Sequence, residues 1–71
     1  MKTIEFTRDF KGSGRSVDFR VETCADGQTV VYLVYENGEI RSMCDSLISL
    51  LRYFNNTYGQ TTMEIVKQYF Q

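Results

Sequence analysis

The sequence predicts one α+β domain spanning residues 1–71, with an antiparallel β-meander of three to four strands followed by two short helices packed on one sheet face. Two observations carry this prediction. Apolar and polar side chains alternate with a period of two over residues 2–10 and 16–23, which is typical of half-buried strands. Beyond Ser42 the apolar residues recur every three to four positions, which indicates helices.

The first two strands are predicted over residues 2–10 and 16–23, with the flexible glycine loop 11–15 between them. In both segments the apolar side chains fall on one face: Ile4, Phe6, Phe10, Val17, Phe19 and Val21. The third strand, residues 28–36, is apolar on both faces, and residues 39–42 form a short fourth strand.

Asp26-Gly27 and Asn37-Gly38 each fit a two-residue type I′ hairpin turn. These turns predict the register, because each pairs the residues that flank it. Ala25 then lies opposite Gln28, Val21 opposite Tyr32 and Phe19 opposite Val34. After the second turn Tyr35 lies opposite Ile40 and Leu33 opposite Ser42.

Ser42 and Asp45 fit a capping box that starts the first helix, which ends at the sequence 55–59. Thr61 and Glu64 fit a second capping box before the C-terminal helix. The first helix has an apolar stripe of Leu47, Leu50, Leu51 and Phe54, and the second has one of Met63, Val66 and Phe70.

The predicted register sorts the strand residues onto two faces, because a strand has a side-chain period of two. The face toward the helices is expected to hold Val17, Phe19, Val21, Val30, Tyr32, Val34 and Met43. The other face is expected to hold an apolar patch of Val31, Leu33, Tyr35 and Ile40, rimmed by Asp18, Arg20, Glu22 and Glu39. An apolar cluster with a charged rim is typical of a protein interface. The alternative is a central strand covered by one helix on each side.

The composition argues against catalysis and against a metal or cofactor. The chain has no His and two Cys, so it has neither an imidazole base nor a four-thiolate zinc site. Cys44 near a helix start lacks a partner base and has Asp45 beside it. The sequence contains neither a Walker-type loop nor a dinucleotide fingerprint. We therefore expect no enzyme activity.

Cys24 and Cys44 are expected to be reduced thiols. In the predicted register Cys24 lies opposite Thr29 and Cys44 opposite Val31. The third strand then separates them by about 10 Å, beyond disulfide reach. Without a signal peptide or an 18-residue apolar run, we expect no membrane association and a cytoplasmic location, in the host cell if the gene is from a phage.

The loop 11–15 is the one candidate for contact with nucleic acid. Lys11 and Arg15 flank two glycines there, and residues 1–20 hold five positive and three negative charges. A phosphate would contact Lys11, Arg15 and the loop amides. The charge excess is small for a DNA-binding protein, which indicates a solvated hairpin loop instead.

These features favour a non-catalytic protein-binding module that occupies another macromolecule's surface, as a small inhibitor or adaptor. Small proteins of this kind are often encoded by phages or mobile elements against host defences, anti-CRISPR proteins among them. The predicted interface consists of Val31, Leu33, Tyr35, Ile40, Arg20 and Glu22. The alternatives are a nucleic-acid-associated protein that uses Lys11 and Arg15, and a structural homodimer.

Overall fold

The computed structural model describes residues 2–71. Its elements are β1 (Lys2–Phe10), β2 (Arg15–Ala25), β3 (Val30–Glu36), β4 (Glu39–Cys44), α1 (Leu47–Tyr58) and α2 (Gln60–Tyr69). The strands form one antiparallel sheet in the order β1-β2-β3-β4, so β1 and β4 are its edges. The predicted α+β meander with two following helices is confirmed.

Both helices pack on one face of the sheet, which we call the inner face. The core between the layers consists of Ile4, Val17, Phe19, Val21, Val34, Cys44, Leu50, Phe54 and Val66. Phe19 is at its centre: its ring centroid lies 5.4 Å from that of Phe54 and 4.9 Å from that of Tyr58, both edge-on. Aromatic pairs in this geometry add about 0.5–1.5 kcal/mol each to the burial of the rings.

The turn between β2 and β3 is wider than predicted. Ala25 pairs with Val30, so four residues form the loop instead of two. The reason is the side chain of Asp26, whose Oδ1 accepts hydrogen bonds from the Thr29 amide at 3.0 Å and the Thr29 hydroxyl at 2.7 Å. The hydroxyl bond is the main cause of a lowered pKa for Asp26. An Asp-stabilised loop replaces the expected type I′ turn.

The wider loop shifts the β2–β3 register by two residues. Val21 pairs with Val34 and not with Tyr32, and Phe19 pairs with Glu36 and not with Val34. Because the shift is an even number, every residue of β2 and β3 keeps its predicted face. Val30, predicted as core, is instead 39% exposed at the start of β3.

The turn between β3 and β4 matches its prediction. Asn37 and Gly38 both have positive φ, 53° and 83°, as a type I′ turn requires. The predicted pairing of Tyr35 with Ile40 is confirmed. The Asn37 side chain also accepts a hydrogen bond of 2.9 Å from the Asp18 amide, which fixes the turn against β2.

A β-bulge in β4 overturns the prediction for Met43. Tyr35 pairs with Ile40 but Val34 pairs with Ser42, so Arg41 is an extra residue. One extra residue moves each later residue of the strand to the opposite face of the sheet. Met43 therefore points away from the helices and is 71% exposed, while Cys44 enters the core with 6% exposure.

Both helices begin at other residues than the capping boxes predict. The strand β4 continues through Cys44, and Ser46 caps α1 by accepting a hydrogen bond of 3.1 Å from the Ser49 amide. Gly59 ends α1 and starts α2, with φ of 94°, a conformation that favours glycine. A single residue thus connects the two helices. Over residues 2–71, neither helix has the length and apolar character that crossing a bilayer demands.

Candidate protein-binding surface

The outer face of the sheet, opposite the helices, is the candidate functional surface. Two rows of paired residues cross all four strands: Thr3, Glu22, Leu33 and Met43 form one, and Glu5, Arg20, Tyr35 and Ile40 form the other. Cys24 and Val31 extend the face at one end, and Thr7 and Asp18 extend it at the other. All six residues of the predicted interface lie on this face.

The half of the outer face on β3 and β4 is apolar. We call it the apolar strip, and it consists of Val31, Leu33, Tyr35, Ile40 and Met43. Ile40 is 56% exposed, and Val31, Leu33 and Tyr35 are partly exposed. No helix among residues 2–71 covers this strip, because the helices pack on the inner face.

The half on β1 and β2 is acidic. We call it the acidic strip, and it consists of Glu5, Asp9, Asp18 and Glu22. Arg20 is the one cation that β1–β4 place on this face in the described chain. The other lysines and arginines lie on the inner side of β1, at the tip of the first hairpin, at the bulge or on the helices. The face therefore has a net charge of about −3 at neutral pH.

Arg20 lies at the boundary between the two strips. Its guanidinium Cζ is 4.1 Å from the centroid of the Tyr35 ring, and its Nε is 3.3 Å from Glu22 Oε2. The cation is thus stacked on one neighbour and paired with another, which fixes the side chains of both. An open depression of about 400 Å³ adjoins this group. It is lined by Glu5, Thr7, Asp18, Arg20, Tyr35, Gly38 and the neighbouring Phe6 and Phe19.

Glu39 does not belong to this face, contrary to the predicted rim. It pairs with Glu36, and its Oε1 is 3.9 Å from Nη2 of Arg41. Lys11 and Arg15 lie at the other end of β1 and β2, both exposed at the hairpin tip. The loop between them is closed by hydrogen bonds of the Ser13 amide and hydroxyl to the Phe10 carbonyl.

A buried carboxylate on the inner face was missed by the sequence analysis. Glu36, which lies beside the turn between β3 and β4, is only 7% exposed. Its two oxygens accept hydrogen bonds from the phenols of Tyr53 at 2.5 Å and Tyr58 at 2.6 Å. Arg41 Nε lies 4.0 Å from the same carboxylate. The alternation of β3 puts Glu36 on the inner face, but the approach of two tyrosines from α1 is a long-range contact without a local sequence signal.

The pKa values of the Tyr53 and Tyr58 phenols are raised in this group. Burial is the main cause, and the hydrogen bond to Glu36 a further one, of a raised pKa for both tyrosines. The pKa of Tyr58 rises to about 12, with the charges of Arg15 and Arg41 acting in the opposite direction. Because both phenols donate to the carboxylate, the group joins α1 to the end of β3 and leaves the outer face untouched.

The two cysteines lie on opposite faces of the sheet. Cys24 pairs with Val31 on the outer face, and Cys44 pairs with Tyr32 on the inner face. Both thiols are free, and β3 lies between them as expected. The predicted pairings of Cys24 with Thr29 and of Cys44 with Val31 are wrong, because the loop after β2 and the bulge in β4 shift the register. In the part of the chain that the structure describes, no three His, Cys, Asp or Glu side chains are grouped as a metal site would need.

Comparison of the chain with protein-family models, with curated proteins and with solved structures finds no match.

Proposed function

We propose that this protein is a non-catalytic protein-binding module that acts by occupying the surface of another protein with its outer sheet face. Such a module works as an inhibitor or an adaptor. The observation that carries the proposal is the apolar strip, which five side chains of β3 and β4 form on the face without helices. Apolar area beside polar groups is the usual anatomy of a protein–protein interface.

The stacked pair of Arg20 and Tyr35 supports the same proposal. Tyr and Arg are, with Trp, the residue types most enriched among those that dominate binding energies. Their contact holds both side chains in place, so little conformational entropy is lost when a partner covers them. The pair also lies near the middle of the face, where such residues have their largest effect.

Self-association through this face is the competing use of the same strip. A second copy that covers both strips of the first would bring two sets of carboxylates together, which is unfavourable. A second copy that covers only the apolar strip would leave the acidic strip without a complementary partner. A different partner protein can complement both, and we therefore expect a monomer of 8.3 kDa in the absence of a partner. Light scattering coupled to size-exclusion chromatography measures this mass.

The experiment that tests the proposal is affinity capture from lysate of cells that naturally contain the protein, followed by binding measurements with each captured protein after purification. Leu33→Glu and Tyr35→Ala alter the apolar strip. Ile48→Glu is the control on the helix layer, because Ile48 is an exposed apolar residue, 64% exposed, on α1.

We expect the purified partner to bind the unaltered protein and Ile48→Glu equally, and to bind both strip variants at least tenfold more weakly. Circular dichroism of each variant checks that the fold is retained. Equal binding by all variants, or loss of binding only in Ile48→Glu, contradicts the proposal. In the second case the helices and not the sheet form the interface.

A further inference from the structure

We infer that the partner segment received by the outer face is a cationic amphipathic helix, with apolar side chains along one side and lysines or arginines along the adjacent flank. This inference rests on the proposed function and adds the chemistry of the partner. It is carried by the division of the face into an apolar strip and an acidic strip that run side by side along the strands.

The charges on the outer face indicate that the partner segment is cationic. The acidic strip holds four carboxylates, and the one arginine on the face is already paired with Glu22 and stacked on Tyr35. A nucleic acid or an acidic protein would be repelled by this surface. A partner with lysines or arginines opposite the acidic strip gains favourable charge pairs without any rearrangement of Arg20.

The dimensions fit a helix. The apolar strip is two strands wide, about 10 Å, which matches the diameter of an α-helix with its side chains. From Val31 to Tyr35 it spans five residues, and the four steps between them cover about 13 Å, which corresponds to roughly nine helical residues. A sheet with helices on one face only can accept a further helix layer on the other.

A helix over the apolar strip leaves one of its flanks above β1 and β2. Glu5, Asp18 and Glu22 lie on these strands at positions that alternate along the face. Cations at positions three to four residues apart on that flank would lie above them. The surface thus specifies both the apolar side of the partner helix and the side on which its charges lie.

Two designed peptides test this inference. Both have 18 residues and the same leucine positions along one helical side, and they differ only in lysine or glutamate at the polar positions. Titration into the isotopically labelled protein, followed by NMR chemical shifts, gives both the affinity and the location of binding. We expect the lysine peptide to bind at least tenfold more tightly than the glutamate peptide, with shifts concentrated on β1–β4 outer-face residues.

Charge variants give the matched comparison. Glu5→Gln, Asp18→Asn and Glu22→Gln together remove three carboxylates from the acidic strip. Glu39→Gln, Asp45→Asn and Glu64→Gln remove three from elsewhere and change the net charge by the same amount. We expect the first set of substitutions to weaken the binding of the lysine peptide about tenfold, and the second set to weaken it less than twofold. Added salt should also weaken this binding.

The outcomes separate this inference from the proposed function. If both peptides bind the outer face equally, or if the two sets of charge variants have equal effects, the cationic partner is wrong while the binding surface stands. Shifts confined to α1 and α2, or no binding of the lysine peptide, also overturn the inference. The proposed function is contradicted only if Leu33→Glu and Tyr35→Ala leave the binding of the natural partner unchanged.

Discussion

The guanidinium of Arg20 lies 4.1 Å from the ring centroid of Tyr35, at the line where the acidic strip meets the apolar strip. This contact has two consequences. It covers part of the Tyr35 ring, and it places Arg20, the one cation that the described strands put on the outer face, where Glu22 can pair with it. Arg20 therefore contacts one residue of each strip, Tyr35 of the apolar strip and Glu22 of the acidic strip.

Replacement of Arg20 by Ala should lower the free energy of unfolding by about 0.5–1 kcal/mol, the size of a cation–π contact at an exposed site. The measurement is urea unfolding followed by circular dichroism. Arg52→Ala, at an exposed position of α1, is the control and should change the stability by less than about 0.5 kcal/mol. Equal effects of both substitutions would show that the stacking contributes nothing to stability.

Matched substitutions test the bulge in β4. Met43→Asp should change the free energy of unfolding by about 1 kcal/mol at most, since the side chain is exposed. Cys44→Asp should lower it by about 3 kcal/mol or more, because the new carboxylate would be buried without a partner. Denaturant unfolding measures both. The reverse order of effects is the result expected for a β4 without the bulge and would contradict the observed register.

Removal of either phenol from the Glu36 group should destabilise the fold. Tyr53→Phe and Tyr58→Phe each delete a hydrogen bond to a buried carboxylate, and bonds to charged groups contribute about 1.5–3 kcal/mol. Tyr69→Phe is the control, since its ring stacks on Phe6 and that contact remains. If all three variants unfold at the same denaturant concentration, the buried carboxylate does not depend on the phenols.

The raised pKa values of the same tyrosines predict a loss of stability in alkali. An unfolded tyrosine has a pKa of about 10, whereas the pKa of folded Tyr58 is about 12 and that of Tyr53 is also raised. The folded state therefore holds its phenolic protons more tightly. Their contribution is fully present below about pH 10 and is lost as the pH rises through the folded pKa.

The ultraviolet absorbance of tyrosinate measures this effect. Tyr53 and Tyr58 are expected to ionise well above pH 10 and together with the loss of circular dichroism. The double variant Tyr53→Phe and Tyr58→Phe should lack this late step. Ionisation of all tyrosines near pH 10 in a chain that is still folded would contradict the hydrogen bonds to Glu36.

Much of this surface could be predicted from the sequence, because a residue keeps its predicted face of the sheet even when the register shifts by two residues and its pairing partner changes. The loop held by Asp26 moved the β2–β3 register by two residues, and Leu33 and Tyr35 still lie on the predicted face. The bulge at Arg41 inserted a single residue, and Met43 changed faces. Neither Asp26 nor Arg41 has a spacing that distinguishes these geometries from a two-residue turn or a regular strand.

The acidic strip can be recognised from the sequence alone. Glu5 and Asp9 alternate on β1, Asp18 and Glu22 alternate on β2, and both pairs lie opposite the apolar positions of their strands. The near balance of total charge, nine acidic against eight basic residues, concealed their segregation on one face. The Glu36 group could not have been found in this way, because the tyrosines that contact it come from a helix whose placement depends on the whole core.

The central claim is that the apolar strip is open to solvent in the free protein. Paramagnetic relaxation by a soluble gadolinium chelate, read on the methyl groups of the labelled protein, tests it directly. We expect strong relaxation for Ile40 and Met43, which are 56% and 71% exposed, intermediate relaxation for the partly exposed Leu33, and little for Val34, Leu50 and Val66, which are fully buried. If Leu33, Ile40 and Met43 are protected as well as Val34 is, the strip is covered in solution and the account is contradicted.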